Sequence, residues 1–177
     1  MNINMDDIFE FYEMRIKSHV ASVNYFAGLL GYHFPEHDSD KIIEPIRTGY
    51  ACIFYQTYHK NFHLTDQQIE LCHDAKRTHH IHAPHHIEHY QSVNEIPDVY
   101  LYEMLSDWAS ANFEQTNILF DEFAGSLEQW FDKNMSHLPW TKHQLEIIEK
   151  SFQIFTENTD TEMVKTIWQP LLEKSDL

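Results

Sequence analysis

Six prolines and only four glycines punctuate a chain whose apolar residues otherwise recur at three- and four-residue steps. That pattern leaves room for little besides helices. The prolines at 35, 45, 84, 97, 139 and 170 are spaced as breaks between segments, and glycine falls far below the usual ~7% of a globular chain. From Ile8 to Leu30 the apolar positions Ile8, Phe9, Tyr12, Ile16, Val20, Val23, Phe26, Ala27 and Leu30 follow the period of an amphipathic helix, and His19 lies on their stripe. Gly31 to Asp40 is a polar connection. A second helix is expected over Ile42 to Tyr58, with Asp38 or Ser39 as its cap. Thr65-x-x-Gln68 reads as a capping box that opens a third helix, ending near Pro84 because the residue before a proline is pushed out of the α region. Val99 to Asn112 and Asn117 to Asn134 are further helical candidates, and Thr141-x-x-Gln144 and Thr159-x-x-Glu162 supply two more boxes. The expectation is an all-α fold of six or seven helices.

The 177 residues make one domain, 1–177, without an internal repeat or a linker. A chain of this length buries roughly 70% of its unfolded surface, enough to hold a polar site inside a core. Twelve Lys and Arg against 28 Asp and Glu give a net charge of −16, which repels a phosphate backbone or an anionic membrane surface. Neither nucleic acid nor membrane is therefore expected as a partner. No apolar run approaches the ~18 residues of a span, and the opening residues lack the basic region of a secretory signal. With Cys52 and Cys72 outside any C-x-x-C spacing, a reducing, cytoplasmic setting is expected.

Histidine is the unusual residue: 14 in the chain, seven of them (His73, His79, His80, His82, His85, His86, His89) within seventeen positions. Ions of intermediate hardness such as Fe, Mn, Zn or Co are held by imidazole nitrogen together with carboxylate oxygen projecting from rigid elements. The chain offers such a set in His19, the adjacent His37-Asp38, the pairs His79-His80 and His85-His86, and Asp107. An adjacent His-Asp delivers a nitrogen and a charged oxygen from one place, so that Asp38 can bridge two metals while His37 binds one. Asp107 sits among Tyr100, Leu101, Met104, Trp108 and Ala111, a mostly apolar face on which an unpaired carboxylate would be costly.

In this order the residues resemble the HD-domain superfamily of metal-dependent phosphohydrolases. More closely, they resemble an uncharacterised HD-like family of bacterial and phage proteins. The stretches that carry the resemblance are His19, then His37-Asp38-Ser39-Asp40-Lys41-Ile42, then His79-His80-Ile81-His82-Ala83-Pro84-His85-His86-Ile87-Glu88-His89-Tyr90, then Glu103-Met104-Leu105-Ser106-Asp107-Trp108. Asp40, Ile42 and Ala83 depart from that family's pattern, which favours Ser, Phe and Asn there. The resemblance implies a first metal site of His19, His37, Asp38 and Asp107 and a second using His80, His85 and His86, with the choice within each histidine pair left open. It implies one or two divalent transition metal ions, Asp38 and Glu88 in catalysis, and hydrolysis of a phosphoester such as a nucleotide or small phosphorylated metabolite. Lys41 and Arg77, close in sequence to these ligands, are candidates to hold the small anionic substrate against the −16 background.

Other chemistry is compatible with the same residues. Within the HD superfamily, a di-iron site can instead activate O₂ and oxidise a small organic substrate. A His-rich tract can also store metal without catalysis, or be plain surface. His85-His86-Ile87-Glu88-His89 matches an H-x-x-E-H zinc-protease signature, but five residues this rich in histidine match easily by chance. Glu70-x-x-His73 echoes the di-iron carboxylate bundle, which needs two such motifs; the chain has one.

Overall fold

A computed structural model describes residues 4–121 and 123–173. The ends of the single-domain reading, 1–3 and 174–177, lie outside the described residues. Seven α-helices follow in order: α1 (Met5–Leu29), α2 (Ile46–Tyr58), α3 (Asp66–His82), α4 (Asp98–Phe113), α5 (Leu127–Asn134), α6 (Lys142–Asn158) and α7 (Thr161–Leu172). Short 3₁₀ turns occupy Ser39–Ile42, Ile87–His89 and Val93–Glu95, and a π turn occupies Glu114–Ile118. The described residues contain no strand, so the fold is all-α. No described helix is long and apolar enough to cross a membrane.

The long α1 is the spine. It packs against α2, α4 and α7, and α2 lies along α3. Buried side chains from every α-helix except α5's polar face merge into one cluster, with Tyr12, Leu101, Met104, Leu105, Ile148, Val164 and Trp168 closed to solvent. The α2–α3 contact is close because Gly49 has no side chain: a Cβ there would sit 2.4 Å from Ala75 Cβ and 2.9 Å from Leu71 O. Capping boxes at Thr65/Gln68, Ser126/Gln129 and Thr141/Gln144 satisfy the free N–H groups that open α3, α5 and α6.

Three helix expectations are corrected. The second helix begins at Ile46, not Ile42, since Glu44 precedes Pro45 and the chain turns in 3₁₀ geometry over Ser39–Ile42 first. Ser39 opens that turn, and the Asp38 side chain caps nothing. The candidate over Asn117 to Asn134 is instead the tail of a π turn, a connection with left-handed Phe120 (φ 52°) and Gly125 (φ 66°), and α5 from Leu127. Asp160, not Thr159, caps α7: its carboxylate accepts from the N–H of Glu162 and Met163, while Thr159 Oγ1 donates to Phe155 O.

Candidate metal centre

Four separate stretches deliver the buried histidines and acids to one point. On α1, His19 shares a face with Tyr12 and Arg15 and is 3% exposed. Asn24, further along α1, holds the next segment in place, accepting from Phe34 N (2.6 Å) and donating to Phe34 O (3.0 Å). The turn so anchored ends on His37-Asp38. Asp38 adopts the left-handed region (φ 59°, ψ 19°), which Asp tolerates better than most residues and which a functional site often exploits. On α3, His79 lies on the buried face with Cys72 and Ala75. Pro84 stops that helix, with Ala83 pushed into extended backbone, and the chain folds back to bring in His85 and His86. From α4 come Glu103, Asp107 and Ser110, four and then three residues apart on one face.

Asp38 stands at the middle. Its Oδ2 lies 3.3 Å from His19 Nε2 and 3.6 Å from His37 Nε2, and Asp107 Oδ1 lies 3.1 Å from His19 Nε2 and 3.7 Å from His37 Nε2. The other oxygen, Oδ1, lies 3.3 Å from His79 Nε2 and 3.6 Å from His85 Nε2. His86 Nε2 approaches His79 Nε2 to 2.9 Å. Ligand atoms of His19, His37 and Asp107, of His37, Asp38 and His85, and of His79, His85 and His86 each fall within 4.8 Å of one another, so these groups can hold a metal ion.

The outer nitrogens explain which atoms face inward. His37 Nδ1 donates to Glu103 Oε1 (2.9 Å), and His79 Nδ1 donates to Asp40 Oδ2 (2.8 Å). His85 Nδ1 lies 3.4 Å from the same Glu103 oxygen, and His19 Nδ1 lies 3.3 Å from Ser110 Oγ. A carboxylate only accepts, so a ring fixed at Nδ1 keeps the lone pair of its neutral form on Nε2. Lone pairs then point at carboxylate oxygens and at each other, an arrangement that needs positive charge between them. His37 Nε2, His85 Nε2 and Asp38 Oδ1 are buried without any hydrogen-bond partner. Orphaned buried atoms of this kind are rare in folded proteins, and a shared cation satisfies all three. Carboxylate-anchored imidazoles are also how proteins orient metal ligands.

Protons take the cation's part in the metal-free chain. Burial opposes charge on His37, but Asp38 beside it, the Glu103 carboxylate bonded to its Nδ1 and the nearby Asp107 carboxylate outweigh burial and push its pKa up to about 10. Burial likewise opposes ionising Asp38, yet His37, Lys41, His19 and His79 hold it well below the usual carboxylate range. Asp107 is held low against burial by His19 and His37, and Glu103 is lowered to about 2 by His37 and His85.

The remaining sequence candidates fall in different places. Lys41 is buried, its Nζ donating to Asp38 Oδ2 (2.9 Å) and sitting 4.6 Å from the centre of the Tyr50 ring. His80 lies off the buried face of α3 and is only partly exposed, and its Nδ1 donates to Glu88 Oε1 (2.9 Å). Glu88 is thereby held outside the Asp38 cluster. Arg77, the other substrate candidate, projects into solvent, 71% exposed, and pairs with Asp74 one helical turn away. His82 and His89 are tied to backbone carbonyls of Thr78 and Ile81.

Sequence reasoning missed Glu103, Asp40 and Ser110 as partners of the histidines. The signal for Glu103 was its place four residues before Asp107, one helical turn along the same face. Two cavities flank the segment bearing His37 and Asp38 and are lined in part by both residues. One, of about 970 Å³, lies against Tyr12, Ile16 and Lys17 of α1 and Arg47 of α2; the other, of about 430 Å³, lies against Pro84, Tyr100 and Glu103.

Residues 9–167 match the profile of a family of unknown function, DUF5662, across most of the chain. The chain belongs to that family. No curated protein and no solved structure matches it. A DUF5662 protein is thus to be understood from its own geometry.

Proposed function

We propose that the centre is an HD-type dinuclear metal site that hydrolyses a phosphoester of a small anionic metabolite. One observation carries the reading: the two oxygens of Asp38 face two different sets of histidine nitrogens, His19 and His37 on one side and His79 and His85 on the other. Asp107 would complete the first set and His86 the second. Five imidazoles against two carboxylates suit Fe, Zn or Co, and Mn less well. A pair of such ions activates water at neutral pH and neutralises charge on a phosphoryl oxygen.

The chain's own groups fit that role. Glu103 orients two ligand rings at once, and Asp40 orients a third. Lys41 uses one of its three donors on Asp38, which leaves others for a substrate oxygen. Its positive charge also offsets the acidic surroundings for an incoming anion. A store for surplus metal would not need ligands gathered from α1, α3, α4 and the turn between α1 and α2, which favours catalysis over buffering.

The test is a panel of nucleotide and sugar phosphates with purified protein loaded with Mn, Fe, Co or Zn. Turnover above the Asp38→Ala background supports the proposal, and none with any metal overturns it. The imidazole-rich donor set equally suits a di-iron oxygenase. O₂ consumption by the iron-loaded protein, with an inert phosphoester panel, would establish that second reading.

A further inference from the structure

Two more side chains with metal-binding chemistry, His80 and Glu88, stand on the solvent side of the second ligand set. His80 follows His79 on α3, about 100° further round the helix. Its ring lies flat on His86, with centroids 4.0 Å apart and planes 10° apart. Its Nδ1 meets Glu88 Oε1 at 2.9 Å. One ligand atom each from His80, His86 and Glu88 lies within 4.8 Å of the others, the same limit that encloses His79, His85 and His86. His86 belongs to both groups.

Access differs sharply between them. The side chains of His37, Asp38 and His79 are fully closed, whereas those of His80 and Glu88 are 19% and 49% exposed. An ion entering the buried centre must shed its water before the last ligands close round it. A neutral imidazole carries one lone pair, so His86 serves one group at a time. A ligand shared in this way is placed between the two groups.

We propose that His80, His86 and Glu88 form a solvent-facing divalent-cation site that loads the buried centre, the ion moving inward on His86. The inference rests on the buried centre holding metal, and not on the reaction performed there. Glu88 supplies the anionic oxygen that first attracts the cation, and His80 supplies the second donor. Ions should leave by the same route.

The experiment is stopped-flow uptake of Co²⁺ by the metal-free full chain, read by its visible absorbance, with ion content at equilibrium measured alongside. His80→Ala and Glu88→Gln are each expected to slow uptake about tenfold, in line with the loss of one group from a metal shell, and to leave the equilibrium ion content unchanged. Asp74→Asn, which removes an exposed charge from the same helix, should not change the rate. Uptake as fast in both variants as in the wild type overturns the loading role, while the buried centre stands. A lower equilibrium content in His80→Ala would make His80 a ligand of the buried centre and also overturn it. Wild-type protein that takes up no Co²⁺ overturns the inference and the metal centre together.

Discussion

His37 Nδ1 donates to Glu103 Oε1 across 2.9 Å, and this contact fixes which nitrogen of the buried His37 ring faces Asp38. Because the same oxygen stands 3.4 Å from His85 Nδ1, one carboxylate orients rings on both sides of the centre. Glu103→Gln keeps the shape and removes the charge. Metal affinity is expected to fall about 10- to 100-fold, measured by competition with a chelator of known strength. Unchanged affinity would show that the rings are held by packing alone.

The metal-free chain should have a pH optimum of stability set by this cluster. His37 has a folded pKa of about 10 against 6.5 unperturbed, so its contribution is complete below 6.5 and lost as pH rises through about 10. Glu103, lowered from 4.5 to about 2, contributes above 4.5 and loses that contribution as pH falls towards 2. Metal binding needs neutral imidazole, so affinity rises over the interval in which the metal-free fold weakens. Denaturant unfolding of chelator-treated and metal-loaded protein at pH 5.5 and pH 9 checks this. The gap between the two forms should widen at the higher pH.

A second buried polar group lies deeper between α1 and the π turn. Arg15 donates through Nε (3.0 Å) and Nη2 to the Glu114 carboxylate, Tyr58 OH donates to Glu114 Oε1 (2.7 Å), and the guanidinium stacks 3.4 Å from the Phe54 ring centre. Burial opposes ionising Glu114, but Arg15 keeps its carboxyl below the ordinary value. Glu114→Ala should cost about 3–5 kcal/mol by stranding the Arg15 charge. Arg15→Met combined with Glu114→Leu should recover most of that. Urea unfolding of the three variants provides the measurement.

Gly49 sets the distance at which α3 carries His79. The Gly49→Ala methyl group would meet Ala75 and the Leu71 carbonyl, backbone that cannot swing aside, so a loss of about 1–3 kcal/mol is expected. A melting temperature equal to wild type would contradict the close packing of α2 on α3.

Much of this was legible before the fold was known, and the gaps have physical causes. His19, His37, Asp38, His85, His86 and Asp107 were readable as types at spacing, and the structure draws all six together. The pair His79-His80 was undecided because adjacent helical residues differ by about 100° in direction, so a one-residue choice is a choice of face. The buried run Cys72, Ala75, His79 shares a face that His80 leaves, and it is His79 that this face brings to Asp38. The region after Phe113 defeated the helical pattern for another reason. Glu114 is drawn to Arg15, 99 positions earlier in the chain, and no local periodicity records a tie of that range. Arg77 was read from sequence proximity to His79, but two residues along a helix point to nearly opposite sides.

The most direct measurement is elemental analysis of purified, untagged protein beside Asp38→Ala, Asp107→Ala and His79→Ala. If Asp38 bridges two ions, Asp38→Ala loses both, whereas Asp107→Ala and His79→Ala each lose the ion on their own side. Metal retained in Asp38→Ala, or wild-type protein that binds none under any loading condition, would contradict the dinuclear centre.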